Sequence, residues 1–344
     1  MNNASSLFPS AFRSASSVAR LCAIVLFVVA SITGPTQLSA AAAEAPVTQK
    51  TFPTAEAAVD ALVAALRAND SAALTEIFGP DSEDLVSSGD PVADSNGRAR
   101  FVEAYDAAHE LVPGDGGSVV LEIGEDAWPS PIPLVQTDGK WRFDTDAGID
   151  EVVYRRIGRN ELGTIETCLG IAAAQRDYAA EGHDGQPAGI YAKKLMSDPG
   201  KHNGLYWEPV EGERASPVGP FLAAASAEGY KKATGSASGT APYHGYLYKA
   251  LTGQGPAANG GAKQYLDKQG QMTGGFAVVA YPVEYHASGV KTFIVNQDGV
   301  VYQKDLGPNT AQLAAAMTVF NPDGTWTKVE DVVPDRDEAH NVAD

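Results

Sequence analysis

The 344-residue chain carries 43 acidic residues against 25 Lys and Arg, a formal charge of -18, and two cysteines. A surface of that sign repels phosphate backbones and anionic lipid headgroups, and no compensating basic run is present, which excludes nucleic acid and the membrane surface as expected partners.

At the N-terminus Arg13 and Arg20 precede an apolar run, Leu21 to Ile32, that leads to small residues at Ser39, Ala40, Ala41 and Ala42. This is the pattern of a secretory signal peptide. The run is shorter than the roughly 20 residues that span a bilayer, so residues 1–43 are predicted to be cleaved, with no stable membrane insertion afterwards. The mature chain is then expected to start between Ala41 and Glu44, in a bacterial periplasm or the medium. Cys22 stands at the start of the apolar run, where a lipoprotein anchor would need it at the end. Its loss leaves Cys168 alone, so no intrachain disulfide is expected, and its place among apolar helical positions reads as a buried, inert thiol.

Residues 50–150 read as an α+β domain. Thr54 is the predicted N-cap of a helix whose Val59, Leu62, Val63 and Leu66 recur at three- and four-residue spacing. Asn69-Asp70 opens a second, short helix through Leu74, Ile77 and Phe78. A third helix is expected over Ala99 to Leu111, carrying Phe101, Val102 and Tyr105, after the turn-rich "SSGDPVADSNG". The period then changes to two: "SVVLEIGED" and "IPLVQTDGKWRFDT" read as strands, the second pair joined at Asp138-Gly139, a dipeptide suited to tight hairpin turns. Helices followed by a curved antiparallel sheet resemble the cone of the nuclear transport factor 2-like fold.

Residues 151–332 read as a second α+β domain, followed by an acidic flexible tail, 333–344. A long helix leaves the first domain near Asp150, with a possible break at Gly158 and an end at Gly182; Leu162, Ile165, Leu169, Ala172 and Ala173 form its apolar stripe. A loop-rich segment, 183–242, is expected to be the protease-sensitive part. Strand-like pieces follow: "YHGYLYKALTG", "GGFAVVAYPVEY", "KTFIVNQDGVVYQKDLG" and "AMTVFNPDGTWTKVED". The phrases "AAQRDYAA", "GLYW", "YHGYLYKALTGQGPAANGGAKQY" and "MTGGFAVVAYPVEYHASGVKTFIVNQDGVVYQKDLG" resemble the bacterial family catalogued as domain of unknown function 2950, over about residues 50–332. That resemblance implies no activity. The second domain is also similar to the globular part of type IV pilins and type II secretion pseudopilins, with one long helix across an antiparallel sheet. Pilins carry a prepilin-peptidase site and an apolar helix ahead of that domain, whereas this chain places a whole domain and an ordinary signal peptide there.

Three stretches share one turn chemistry: Asn296-Gln297-Asp298-Gly299, Asn321-Pro322-Asp323-Gly324 and Thr137-Asp138-Gly139. Each is read as a hairpin turn. A calcium loop needs several oxygen ligands at alternating positions, and the chain returns to Val300-Val301 instead. Because pseudopilins sometimes hold calcium in a loop, Asp298 and Asp305 stay open as the alternative.

No nucleophile elbow, zinc-protease helix, paired C-x-x-C or phosphate loop occurs. "GSASG", 235–239, has Ala237 where a nucleophile would stand. No catalytic residue, metal ligand or cofactor is therefore assigned. Two clusters remain as binding candidates. "KHNGLYWEP" puts His202, Asn203, Tyr206 and Trp207 in one loop, either as a glycan or peptide site or as an aromatic plug of a sheet edge. "YHGYLYKA" reads as a strand with His244, Tyr246 and Tyr248 on one face, either as packing or as a partner surface. The expected function is a non-catalytic binding or scaffolding component of the cell envelope, partnered by another envelope protein or a glycan. The alternative is a hydrolase- or isomerase-like enzyme whose pocket in the first domain gathers Tyr105, His109, Asp144 and Asp146.

Overall fold

The computed structural model describes residues 48–230 and 241–330. The stretch read as a signal peptide, the "GSASG" stretch and the acidic tail lie outside these residues. The fold is mixed helix and sheet, with two five-stranded antiparallel sheets and a small third one.

Helix α1 (Ala55–Ala68) starts where the sequence predicts, its Thr54 side chain accepting from the Ala57 N–H, and α2 (Ser71–Phe78) is capped likewise by Asp70. A single turn, α3 (Glu83–Val86), precedes α4, which runs from Pro91 to Ala107. Most of the stretch read as turns is thus helical. Asp90 caps it and Pro91 presets its first turn, and this local chemistry outweighs the Gly, Ser and Asn residues that suggested a loop. The helix stops at Ala107, and His109–Pro113 form strand β1 instead of a last helical turn.

The first sheet contains β1, β2 (Val119–Ile123), β3 (Trp128–Pro129), β4 (Leu134–Thr137) and β5 (Lys140–Phe143), in the order β1-β2-β4-β5 with β3 paired to β2. The β4–β5 turn has positive φ at both Asp138 and Gly139, as the dipeptide predicts. One face buries Leu121, Ile123, Leu134 and Phe143 against Val59, Leu62 and Val63 of α1 and Leu74 and Ile77 of α2.

Helix α5 then runs without a break from Thr145 to Ala179. Gly148 lets it start, because any Cβ there would strike the carbonyl of Pro131. Its buried face follows the expected stripe only in part: Ala172 is buried and Ile165 packs against the core. Leu162 and Leu169 are 48% and 44% exposed, while Val153, Ile157, Asn160, Thr164, Cys168, Ala172 and Gln175 face inward. The buried polar groups are satisfied by distant chain, Asn160 donating to the Ser288 carbonyl at 2.9 Å and Gln175 exchanging two hydrogen bonds with the backbone of Ala192. Cys168 is fully buried, which pushes its thiol up to about 12.

Within the segment read as loop, Gly219–Ala227 form a helix, α6. Beyond it come β6 (Tyr246–Leu251), β7 (Gly253–Gln254), β8 (Lys263–Gln264), β9 (Ala277–Pro282), β10 (Lys291–Asn296) and β11 (Tyr302–Asp305). The chain closes with helix α7 (Thr310–Ala316), β12 (Val319–Phe320) and β13 (Thr327–Lys328). The second sheet is ordered β13-β11-β10-β9-β6 and the third β12-β7-β8. Residues of both parities are buried in β9 and β10, so this sheet is covered on both faces; α5 packs on β10 and β9, and α7 on β9.

The turn between β10 and β11 is a hairpin with Gly299 at φ +73°, and the Gly299 N–H donates to the Asn296 carbonyl at 3.0 Å. Asp298 and Asp305 stand at opposite ends of that hairpin, Asp305 being paired with Lys291 in the register, so they form no common site. Asn321 to Gly324 is not a hairpin: β12 pairs with β7 in parallel and β13 with β11. The Asn321 side chain instead accepts from the Ala257 N–H at 2.9 Å, which spends its turn-forming oxygen on a distant loop.

Candidate functional site

The densest polar constellation joins the two large sheets. Asp90 is fully buried. One carboxylate oxygen accepts from the N–H groups of Val92 and Ala93 at the start of α4, both at 3.1 Å. The other accepts from the Tyr230 hydroxyl and the Gly245 N–H, both at 2.9 Å. One side chain therefore caps a helix of the first layer and holds a turn of the second. The Tyr230 hydroxyl also accepts from the His244 N–H at 3.2 Å. Burial first, then the charge of Asp90, pushes its phenol far above the ordinary tyrosine range, so it stays a neutral donor.

"YHGYLYKA" is not one strand. Tyr243 and Tyr246 exchange both backbone hydrogen bonds, at 2.9 and 3.1 Å, across a two-residue turn with positive φ at His244 and Gly245. That turn puts His244 at a tip, and Tyr246 falls wholly inside the core with its hydroxyl donating to the Lys291 carbonyl. The His244 ring lies 4.0 Å from Tyr243 in a stack, its Nε2 is 2.7 Å from Glu228 Oε2, and its Nδ1 edge abuts Gly163 of α5. Asn96 of α4 completes the bridge by donating to the Glu228 carbonyl at 2.8 Å. The arrangement orients the imidazole firmly, but among the described residues no Ser, Thr or Cys is hydrogen-bonded to the ring as a nucleophile would be.

"KHNGLYWEP" closes a second cluster near the C-terminal end of α5. Tyr206 and Trp207 are buried with Ala174, Tyr178 and Leu205. His202 packs on Trp207 at 4.4 Å, and His183 stacks on Tyr178 at 4.1 Å. The Trp207 indole donates to the Arg214 carbonyl and the Tyr178 hydroxyl to the His202 carbonyl, at 3.1 and 2.8 Å. Asn203 is bound to Asp198 through both its oxygen and its nitrogen. The aromatic groups proposed to face a ligand face the protein's own interior. His202 has its Nε2 3.5 Å from Glu213 and is part-exposed.

The four residues of the enzymatic alternative do not meet. Tyr105 and His109 stack on each other at 3.8 Å at the end of α4, whereas Asp144 pairs with Arg142 at 3.3 Å beside β5. Asp146 lines a small depression of about 110 Å³ with Gln49, Asp81 and Arg142. A larger groove of about 510 Å³ lies between α1 and α4, floored by Leu66, Ala99 and Val102. Among the described residues no group of three or more His, Cys, Asp or Glu is placed to hold a metal ion, and no helix is long and apolar enough to cross a membrane.

Sequence reasoning found His244 but missed Asp90, Glu228 and Tyr230. The Asp-Pro dipeptide at 90–91 was a readable N-cap signal; the other two became partners only through chain reversal.

The family described as "Protein of unknown function (DUF2950)" matches residues 49–329. The chain belongs to this family. The match covers both large sheets, α5 and both histidine clusters. No curated protein and no solved structure matches the chain.

Proposed function

We propose that this family member is an exported, non-catalytic component of the bacterial cell envelope that binds another envelope protein through the solvent face of α5. One observation carries the reading: along that helix Tyr154, Leu162 and Leu169 stand 57%, 48% and 44% exposed, while Tyr206 and Trp207, the aromatics of the glycan-site candidate, are buried. Large apolar side chains left in water on a rigid helix favour association, because covering them removes apolar surface from solvent. Burial of Trp207 favours a protein partner over a glycan. A long helix on an antiparallel sheet supports the pilin-like reading of the second half, and Arg13, Arg20 and the apolar run after them support export.

The test is site-specific photocrosslinking in an intact bacterium, with the crosslinker at Leu162 or Leu169, followed by fractionation. A discrete adduct in the envelope fraction that vanishes when the other leucine is changed to Asp is the expected result. Recovery of uncleaved protein in the cytoplasm, or crosslinks no different from those made at exposed Lys140, would overturn it.

A further inference from the structure

Three Asn-Gly pairs occur in the chain, at residues 96–97, 203–204 and 259–260. Such a pair can react with itself, because the Gly amide nitrogen reaches the side-chain carbonyl carbon of the Asn before it and Gly has no Cβ to obstruct the approach. The fold decides which pair is free to do so.

Asn96-Gly97 lies inside α4, where the Gly97 N–H is committed to the helical ladder, and the Asn96 side chain donates to the Glu228 carbonyl at 2.8 Å. Asn203-Gly204 is held at both groups. The Gly204 N–H donates to the Ser197 hydroxyl at 2.9 Å, and the Asn203 side chain is bound to Asp198 through both its oxygen and its nitrogen. Asn259-Gly260 differs at each point. It sits in the loop between β7 and β8 with both residues exposed. Neither the Asn259 side chain nor the Gly260 N–H makes a hydrogen bond among the described residues. Gly260, at φ +80°, stands in a tight turn that the Gly261 N–H closes by donating to the Ala258 carbonyl at 2.9 Å. A Cβ at Gly260 would meet nothing nearer than Gln254 Nε2, at 3.9 Å, so the approach is open. Gln254 is itself buried and holds this loop, donating to the carbonyls of Asn259 and Gly261, both at 2.7 Å.

We propose that Asn259 is a site of spontaneous covalent modification, the one pair of the three that the fold leaves free to react, with water as its co-reactant. The Gly260 nitrogen loses its proton and bonds to Asn259 Cγ, the Cγ–Nδ2 bond breaks, and Nδ2 leaves as ammonia, giving a cyclic imide. Water then opens the imide at one carbonyl or the other, giving Asp or iso-Asp. Asp adds a negative charge to the loop and keeps the acceptor that Gln254 uses. Iso-Asp also reroutes the chain through Cβ and Cγ, so the carbonyl held by Gln254 leaves the main chain and the turn from Ala258 to Gly261 is lengthened. The site lies apart from α5 and does not rest on the proposed envelope contact.

Peptide mapping by mass spectrometry, with iso-Asp scored separately from Asp, tests this on the mature full-length chain held at mildly alkaline pH, folded and in parallel in concentrated urea. In the folded chain, conversion is expected several-fold faster at Asn259 than at Asn96 or Asn203, with both products formed, and none at this position in Asn259→Gln, whose longer side chain disfavours the ring closure. In urea the three rates should converge, because the hydrogen bonds that protect the other two pairs are gone. No conversion at Asn259 in the folded chain, conversion at Asn96 or Asn203 as fast as there, a preference that survives in urea, or Asp without iso-Asp would each overturn the proposal.

Discussion

The cluster around Trp207 and the junction around Asp90 and His244 use the same materials, histidines and tyrosines laid against the same helix, and build opposite things with them. The first closes over a short stretch of chain between Tyr178 and Arg214 and is held by burial of rings. The second joins groups 140 and 155 residues apart in sequence through one carboxylate. Packing makes a local plug; a buried, fully satisfied hydrogen-bond network makes a link between layers.

Trp207→Ala should be the most damaging change. It removes a buried indole from the small core, at a cost of about 3–5 kcal/mol read by urea unfolding. Amide exchange should rise near Tyr178 and Leu205 and remain unchanged in the first sheet; a rise there would show that the plug is not local. Asp90→Ala should cost about 2–3 kcal/mol through the lost helix cap and the stranded Tyr230 hydroxyl and Gly245 N–H. Its exchange signature should appear at both α4 and β6. A response confined to α4 would reduce the junction to an ordinary N-cap.

The β10–β11 turn supplies a reference that belongs to neither cluster. Gly299→Val should cost about 1–3 kcal/mol, since its φ of +73° is unfavourable for a β-branched residue. Asp298→Ala should cost less than about 1 kcal/mol and leave the Tm indifferent to calcium and to chelator. A parent protein destabilised by chelator would reinstate a metal at this turn.

The smallest effect concerns pH. Burial, then the charges of Glu228 and Glu166, pushes the Tyr243 phenol up to about 12 from an ordinary 10.0. The folded state then holds this proton more tightly than the unfolded chain. Its contribution is fully present below pH 10 and is lost as pH rises from there through about 12. Tyr243→Phe should flatten the fall of stability in that window and leave the curve below it unchanged; an unaltered alkaline limb would show that the ring is not held in this environment.

How much of this could be read from the chain varies with the range of the interaction. Thr54, Asp70, Asp138-Gly139 and Gly299 act on backbone groups within a few residues, and their caps and turns form as the sequence predicts. Asp90-Pro91 carries an equally local signal that the surrounding Gly, Ser and Asn residues hid. Helix α5 shows where such reading ends. Its periodicity reveals apolar residues on more than one face, and of the stripe it suggests Leu162 and Leu169 are left in water while Ile165 packs on the core. The sheet nevertheless buries the face bearing Asn160, Thr164 and Gln175, because Ser288, Tyr248 and Ala192 supply their hydrogen-bond partners. Sequence by itself determined the helices α1 and α2 with their caps and the turns at Asp138-Gly139 and Gly299, whose energetics are settled between near neighbours. Tertiary structure alone decided which face of α5 meets water, which tyrosines are core, and that Asp90, Glu228 and His244 belong to one network, because a buried polar group is stable only where distant chain arrives to satisfy it.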